Sequence, residues 1–511
     1  EPAGPAAHPA SNRWQRLDAI RGNTGRRRSR GRQHGRMASP LTLNDDRLLP
    51  PDPGTRGIAR RIYATTRELP IISPHGHVPP RWIARDEHFG NPARLLITPD
   101  HYINRVLHAN GVELSELGVG RGEEMTEADN RRAFRLLCEH WTDLNGTAMR
   151  YWLTDQLVGI FGVRVRPAAE TADAIYDTIA ARLDEPGFRP RRLMDAFRIR
   201  FLATTDDPCD DLGMHAEIAA DEEFSARHRV VPTFRPDRYL EPARPDWNEL
   251  VDALGGAAGV DVGTLDGYTR AMAERRRYFK EHGAVSSDHS HADLGTLILP
   301  ADEAARLYDR ARRGLATADE ALALRRHLFT DQARMACEDG LVMTVHPAVA
   351  RNHDADALAR YGADVGGDIP LALEATRALG PLLNAYGNHP GLHLVLFTLD
   401  EDVYSREFAP LAAWYRSVHL GVPWWFVDAP ESIMRFKRGV TEMAGFSRIS
   451  GMVDDTRAFC SIPARHDMSR RLDAAHLADL VATHRLDEDE AIEQAGALVV
   501  DNQVRIFKLD R

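Results

Sequence analysis

Eight short apolar segments rich in β-branched residues, each ending in polar residues, restrict the fold of this chain more than any other feature. Runs of this kind are typical of strands buried on both faces of a parallel sheet. Helix-forming stretches lie between most of them, including residues 301–328, 368–384 and 405–414. Eight such strand–helix units predict an α/β fold, namely a (β/α)8 TIM-like barrel. The predicted strands are residues 69–73, 199–205, 229–233, 284–287, 341–345, 393–399, 416–421 and 448–453.

The gap between the first and second predicted strands is much longer than the others, and it is charged and rich in helix formers. We interpret roughly residues 78–198 as a helical insertion after strand 1. No linker rich in glycine, serine or proline separates it, so we expect an insertion within one domain rather than an independent domain. The sequence thus predicts a single barrel domain over residues 37–511.

Residues 1–36 differ in composition from the rest of the chain. They contain nine arginines against Glu1 and Asp18, so this segment carries +7 and the remainder −17, which gives the net charge of −10. We expect a disordered basic extension outside the fold, not native to the protein, with Met37 as the natural start. Such a segment could also bind nucleic acid. The acidic body is not expected to do so, and it must hold an anionic substrate through local arginines.

Hydropathy and cysteine usage bound the cellular setting. Mean hydropathy is −0.40 and no uncharged apolar run approaches 18 residues, so no membrane-spanning helix is expected. The four cysteines are far apart and form no CxxC pair; they are Cys138, Cys209, Cys337 and Cys460. This usage disfavours a disulfide scaffold or a thiolate zinc site and predicts a cytoplasmic protein. The sequence leaves a homo-oligomer open.

Two histidines follow the first predicted strand, in the segment Ser73-Pro74-His75-Gly76-His77. Side chains two residues apart on a strand point to the same face. Both imidazoles are therefore expected at the C-terminal mouth of the barrel, where barrel active sites lie. Neutral imidazole is a good ligand for zinc and similar metals. Taken alone, however, the pair could also be two polar loop histidines.

Asp455 follows the eighth predicted strand, which a closed barrel places beside the first. A carboxylate at that position can complete a metal site with His75 and His77, or it can move a proton. The alternative is an aspartate that caps a helix N-terminus. Because barrel closure joins the two elements, the metal-site interpretations of the histidines and of Asp455 support each other.

Arginines follow three of the predicted strands, at Arg235, Arg351 and Arg457. The planar guanidinium group matches carboxylate or phosphate. A single surface arginine commonly pairs with a neighbouring acid, but three at one mouth predict a small anionic substrate. The sequence contains no P-loop, no dinucleotide-binding fingerprint and no serine-hydrolase elbow, so those chemistries lack support.

Several motifs together identify a similarity to a known family. From about residue 43 to residue 511, the chain resembles the uronate isomerases (glucuronate isomerases) of the amidohydrolase superfamily, which are metal-binding (β/α)8 barrels. The motifs are His75-Gly76-His77, residues 98–105 (TPDHYINR), residues 204–215 (TTDDPCDDLGMH), residues 235–237 (RPD), residues 287–289 (SDH), His346 with Arg351-Asn352, residues 424–426 (WWF) and residues 455–459 (DTRAF).

The resemblance implies an aldose–ketose isomerase of hexuronate catabolism. Its implied reactions are D-glucuronate to D-fructuronate and D-galacturonate to D-tagaturonate, each through a cis-enediol. It also implies a divalent metal, zinc, held by His75, His77 and Asp455.

The resemblance further implies roles for the remaining site residues. Asp455 would also move the proton, Arg457 would stabilise the enediolate, and Tyr102 would hydrogen-bond a substrate hydroxyl and could share the proton transfer. The implied substrate-binding residues are Arg235, His346, Arg351 and Trp424.

Two alternative functions stay open. One is a metal-dependent hydrolase of the same superfamily, although no lysine follows a predicted strand, which disfavours a two-metal site. The other is an inactive sugar-acid-binding barrel. It is motivated by residues 346–352, which read HPAVARN where the family usually has HIGAxRN.

Overall fold

The structure is a computed structural model that describes residues 40–121 and 123–510. The predicted basic extension at residues 1–36 and its boundary at Met37 lie outside the described residues. The strands are β1 (Ile71–Ser73), β2 (Ile199–Ala203), β3 (Arg229–Val231), β4 (Ser286–His289), β5 (Val342–Val345), β6 (Val349–Ala350), β7 (Ile369–Pro370), β8 (Leu394–Leu396) and β9 (Val418–Leu420).

Helices precede, separate and follow these strands. In the first half of the chain they are α1 (Pro53–Thr66), α2 (Pro80–Arg85), α3 (Pro92–Leu96), α4 (His101–Ala109), α5 (Glu127–Glu139), α6 (Ala148–Asp155), α7 (Ala172–Leu183), α8 (Pro190–Ala196), α9 (Gly213–Ala220), α10 (Glu222–Ser225) and α11 (Trp247–Ala258). In the second half they are α12 (Leu265–Glu281), α13 (Ala301–Arg312), α14 (Ala318–Asp339), α15 (Ala355–Tyr361), α16 (Gly380–Tyr386), α17 (Glu401–Val403), α18 (Ala409–Trp414), α19 (Pro430–Ala444), α20 (Ile462–Ala482), α21 (Glu488–Gly496) and α22 (Asn502–Ile506).

Seven parallel strands follow one another in chain order across the sheet. One ladder contains β1, β2 and β3, and a second contains β4, β5, β8 and β9. Parallel bridges at Phe234, to Asp206 and to Ser287, join the two ladders. Parallel strands that are buried on both faces need helices on the outside, which the α-helices between them supply. The predicted α/β class with parallel strands in the order of a TIM-like barrel is confirmed.

The eighth predicted strand, residues 448–453, is wrong as a strand. Only Ile449 forms a parallel bridge, to Leu420 of β9. Gly451 has a positive φ of 84°, which interrupts extended backbone, and the Gln503 side chain takes the carbonyl of Met452. No strand pairing joins this segment to β1 within the described part of the chain. The residues that follow the two segments are joined by a backbone hydrogen bond of 3.1 Å from His77 N–H to the carbonyl of Thr456.

Two of the predicted helices differ from the observed ones. Residues 301–328 divide into α13 and α14, because Gly314 has a φ of 68° and a capping box of Thr317 and Glu320 starts the second helix. Residues 368–384 are helical only within α16, since β7 pairs with β6 in a short antiparallel hairpin. The third, residues 405–414, is helical as a π-helical turn continued by α18.

In the residues described, the named elements between β1 and β2 are all helices, α2 to α8 with short 3-10 and π turns, and Val165 forms one antiparallel bridge with Pro40. Its apolar side chains, among them Phe134, Trp141 and Tyr176, belong to the same buried cluster as Ile71 of β1 and Ile199 of β2. The insertion therefore shares its hydrophobic core with the first two strands. None of the described helices is both long and apolar enough to span a membrane.

Candidate active site

A cavity of about 530 Å³ opens beside the carboxyl ends of the parallel strands. Parallel strands deliver the residues that follow them to one edge of the sheet, which is where barrel enzymes build their sites. All nine residues selected from the sequence line this cavity: His75, His77, Tyr102, Arg235, His346, Arg351, Trp424, Asp455 and Arg457. Their shared location is an observation, whereas their individual roles stay predictions.

Two histidines and a carboxylate converge at the base of the cavity. His75 Nε2 lies 3.2 Å and His77 Nε2 lies 3.0 Å from Oδ1 of Asp455. This oxygen is buried and makes no well-aligned hydrogen bond, so its lone pairs are free for a cation. Two imidazoles and one carboxylate are a donor set for a divalent metal of the zinc type. The group is therefore a candidate divalent-metal site.

The environment of Asp455 keeps its carboxyl group ionised. Burial alone would raise its pKa, but hydrogen bonding and charge from His75 and His77 outweigh burial and hold the pKa well below its ordinary value. The indole Nε1 of Trp424 donates a hydrogen bond to Oδ2. This contact leaves Oδ1 directed at the histidines.

Left-handed backbone occurs at several residues around the cavity. Five non-glycine residues on its loops have positive φ angles between 42° and 68°, a region that side chains with a Cβ disfavour; they are Ala348, Asn352, Asp364, Phe426 and Asp455. Three of these residues line the cavity itself, namely Asn352, Asp364 and Asp455. Strain of this kind persists when the surroundings over-determine it, which is common at functional sites.

Asp288, at the end of β4, connects the metal candidates to His346. His346 Nδ1 lies 2.6 Å from Asp288 Oδ1, and its ring stacks between His75 and Phe397, with centroid distances of 4.5 Å and 4.3 Å. Burial would raise the pKa of Asp288, but His346, His75 and Arg235 hold it well below its ordinary value. His75, Asp288 and His346 also form a second potential ligand group, which shares His75 with the first.

The three arginines selected from the sequence are each anchored by acidic neighbours. Arg235 Nε lies 3.1 Å from Asp237 Oδ2 and 3.5 Å from Asp288 Oδ2. Arg351 donates to Asp368 Oδ2 and to Ser290 Oγ, both at 2.8 Å.

Arg457 donates to Asp364 Oδ2 at 2.6 Å and to His101 Nε2 at 2.9 Å. The three guanidinium groups are therefore held in fixed orientations before any ligand arrives, which reduces the entropy lost on binding.

His101 and Asp288 line the cavity but were not among the residues selected from the sequence. Burial and the charge of Arg457 lower the pKa of His101 to about 4, so its ring is neutral and accepts from Arg457. His101 begins α4 in the insertion, directly before Tyr102, and the family motif at residues 98–105 was the available signal for it. Asp288 could have been selected from the sequence, because it directly follows the predicted strand 284–287.

Tyr102 reaches the cavity from the same helix, but its hydroxyl is already engaged. It donates to Asp428 Oδ2 at 2.8 Å, and Arg465 Nη1 donates to the same oxygen at 2.7 Å. Burial and the charge of Asp428 raise the pKa of Tyr102 well above its ordinary value. The phenol therefore stays protonated, and its proton is directed at Asp428.

Asp206 follows β2 and lines the cavity, and the pKa of its carboxyl group lies near neutrality. Burial raises its pKa to about 7, against a hydrogen bond of 2.7 Å from Thr204 Oγ1. The sequence analysis placed Asp206 at a strand end but gave it no role.

Comparisons with known proteins agree with this geometry. A family model described as glucuronate isomerase matches residues 54–505. A uronate isomerase of Cutibacterium acnes is 64% identical over 474 residues, covering 93% of this chain and 100% of that protein. The crystal structure of glucuronate isomerase from Caulobacter crescentus superposes with a TM-score of 0.89 at 42% identity, covering 92% of this chain and 98% of the other. The crystal structure of uronate isomerase from Thermotoga maritima superposes with a TM-score of 0.85 at 25% identity, covering 91% of this chain and 100% of the other.

Proposed function

Because the chain belongs to the glucuronate isomerase family, we propose that it interconverts D-glucuronate with D-fructuronate and D-galacturonate with D-tagaturonate in hexuronate catabolism. The observation that carries this proposal is one cavity in which a His75/His77/Asp455 group faces three anchored arginines. Such a cavity suits a small sugar acid, whose carboxylate needs cationic partners and whose carbonyl end needs charge stabilisation.

The donor atoms of His75, His77 and Asp455 fit a zinc ion, because the carboxylate oxygen between the two imidazoles has no aligned hydrogen bond. When bound there, zinc supplies stabilisation for negative charge that develops on the substrate oxygens at C1 and C2.

Asp455 is the residue that we assign to proton transfer. The open-chain aldose loses its C2 proton to the carboxylate, which leaves a cis-enediolate with its negative charge on O1. The hydroxyl proton of O2 then passes to O1, and the carboxylate returns the same proton, or one from solvent, to C1, which gives the ketose. Because C1 and C2 are adjacent, one carboxylate can serve both carbons. Its low pKa makes Asp455 a weak base, so the reaction depends on strong stabilisation of the enediolate.

Arg457 is positioned to provide part of that stabilisation. Its guanidinium is oriented by Asp364 and His101, and it projects into the cavity that contains Asp455. A fixed cation stabilises charge that forms during the reaction without reorganising at that moment. Tyr102 donates its one O–H to Asp428, so we assign its phenol oxygen as an acceptor for a substrate hydroxyl.

We assign the sugar carboxylate to Arg235, Arg351 and His346. The two arginines carry several N–H donors each and are anchored through only some of them. His346 Nε2 is buried without a partner, whereas its Nδ1 is bound to Asp288. Trp424 is assigned to substrate contact through its ring face, because its indole N–H is engaged with Asp455.

The test is isomerisation followed by NMR in deuterated water. Full-length protein reloaded with zinc is incubated separately with D-glucuronate and D-galacturonate. We expect ketose signals and solvent deuterium at the carbon that is reprotonated, and we expect neither with the Asp455→Asn variant. Failure of the wild-type protein to isomerise either sugar would overturn the proposal in favour of the hydrolase or the inactive barrel.

We also propose that the protein acts in the cytoplasm, which its four unpaired cysteines support, Cys138 and Cys460 being buried. For a family enzyme of this size, a homo-oligomer remains our expectation. Light scattering on the eluting peak of a gel-filtration column measures the mass directly, and a value near 57.1 kDa would contradict it.

A further inference from the structure

A second cluster of metal-binding side chains lies beside the cavity and shares no residue with the His75/His77/Asp455 group. One ring nitrogen of His289, one of His291 and one carboxylate oxygen of Asp237 lie within 4.8 Å of one another. The two histidines are 0% and 4% exposed. We propose that Asp237, His289 and His291 form a second binding site for a divalent transition metal of the zinc type.

The hydrogen bond made by His291 fixes which of its nitrogens is free. Oε1 of Glu241 lies 2.6 Å from Nδ1 of His291. A carboxylate accepts only, so the proton resides on Nδ1 and the lone pair is on Nε2. This Nε2 is buried, has no hydrogen-bond partner, and lies 3.7 Å from Asp237 Oδ1. Histidines that bind metals show this arrangement, in which the second nitrogen donates to a carboxylate.

His289 also has an unused donor atom. Its Nδ1 is buried without a hydrogen-bond partner, while its Nε2 lies 3.2 Å from Ser287 Oγ. Neutral imidazole is the form that binds metals. Two buried imidazoles, each with an unpaired nitrogen, destabilise a fold unless a partner satisfies them.

The surroundings of the cluster suit a dication. Asp237 and Glu241 provide two carboxylates, and one Asp237 oxygen is oriented by the backbone N–H of Ser290 at 3.0 Å. The ring of Phe329 packs edge-on against both histidines, with centroid distances of 5.6 Å and 5.2 Å. Two imidazoles with a carboxylate favour zinc and its neighbours over calcium or magnesium.

An ion in this second site would order the active-site wall. Asp237 also bonds to Arg235, and Ser290 accepts from Arg351. The cluster thus lies behind two of the arginines assigned to the sugar carboxylate. We assign it a positioning role, because its ligands share no residue with the His75/His77/Asp455 group and Asp237 holds Arg235 in place.

Metal stoichiometry tests the proposal independently of catalysis. Full-length protein is stripped with chelator, reloaded with Zn²⁺, passed through a desalting column and analysed for zinc per chain. We expect two ions in the wild type, one in His291→Asn, one in Asp237→Asn, one in His77→Asn, and none in the His77→Asn/His291→Asn double variant. His353→Asn, at an exposed histidine, is the matched control and should keep two.

Cobalt provides a spectroscopic readout of the same sites. Loading with Co²⁺ should give visible d–d absorption in the His77→Asn variant, where only the second site is intact, and titration should saturate at one equivalent. Circular dichroism of each variant shows whether it is folded. If His291→Asn does not fold, Asp237→Asn replaces it as the variant that lacks the second site.

The proposal is overturned if the wild type holds one ion that His77→Asn removes, or if folded His291→Asn and Asp237→Asn still hold two. The second result would place the additional ion at His75, Asp288 and His346 instead. Either result leaves the isomerase proposal intact, because that proposal fails only in the NMR experiment.

Discussion

At the scale of single residues, the chemistry of the cavity depends on pairs of neighbours with opposite effects. Burial alone would neutralise both Asp288 and Asp455, yet histidines and Arg235 keep them ionised. Asp206 accepts its side-chain hydrogen bond from the neutral hydroxyl of Thr204, and burial raises its pKa to about 7. Aspartate is therefore a fixed anion at positions 288 and 455, whereas at position 206 its pKa lies near neutral pH.

The first prediction concerns Asp455. Asp455→Asn keeps the shape of the side chain and an oxygen for the Trp424 indole, but it removes the negative charge and the base. We expect kcat to fall by about 10²–10⁴-fold, in the range attributed to general-base catalysis. Steady-state assay of ketose formation measures the effect. Asp356→Asn, at an exposed aspartate, is the control, and a variant at Asp455 with most of the wild-type rate would remove it from the mechanism.

The second prediction concerns Arg351. Arg351→Ala removes a guanidinium assigned to the substrate carboxylate, so we expect KM for both uronates to rise about 10- to 100-fold with a smaller change in kcat. Arg360→Ala, at an exposed ion pair with Glu113, should leave KM unchanged. An unchanged KM in Arg351→Ala would assign the carboxylate to other residues.

At the scale of elements, the apolar segments predicted seven parallel strands and their order, because a buried strand leaves a continuous local pattern. The eighth segment has the same pattern but is not a strand. Gly451 within it has a positive φ, and the side chain of Gln503, which is distant in the chain, binds the carbonyl of Met452. Likewise, the strand ends predicted eight of the nine selected cavity residues. Tyr102 and His101 reach the site on α4 of the insertion, which the family motif at residues 98–105 indicates and no strand-end pattern does.

The helices α19 and α20 are joined by a buried ion pair between Lys437 and Asp473, each under 5% exposed. Such a pair adds little over well-packed apolar residues, because desolvation offsets the attraction. Breaking it is different, since the remaining charge stays buried without a partner.

The third prediction follows from this pair. Lys437→Met should lower the free energy of unfolding by about 3–5 kcal/mol, because Asp473 is left unpaired. The double variant Lys437→Met/Asp473→Leu should recover most of that loss. Urea unfolding of both variants measures the difference. Equal stability of the single and double variants would show that the pair is not the source of the loss.

At the scale of the whole molecule, an acidic chain with a net charge of −10 holds its cavity arginines by local ion pairs and not by the overall field. The fold also buries several histidines as neutral rings. Burial lowers the pKa of His215 to about 4, of His289 and His476 to about 3, and of His419 to about 2. These groups couple the stability of the entire chain to pH.

The fourth prediction is therefore a loss of stability in mild acid. An unfolded histidine takes up a proton near pH 6.5, but these buried rings do not until the pH is far lower. Between pH 6.5 and about 4 the unfolded chain binds more protons than the folded chain, so the free energy of unfolding falls as the pH falls, by at most about 1.4 kcal/mol per pH unit for each ring.

His476 isolates the contribution of one ring to this slope. It lies on α20, contacts Thr441 of α19, and is not a candidate metal ligand. His476→Gln should reduce the slope between pH 6 and pH 4 by up to about 1.4 kcal/mol per pH unit in urea unfolding. His353→Gln, at an exposed ring, should leave the slope as it is, and an equal slope in His476→Gln and wild type would contradict the assignment.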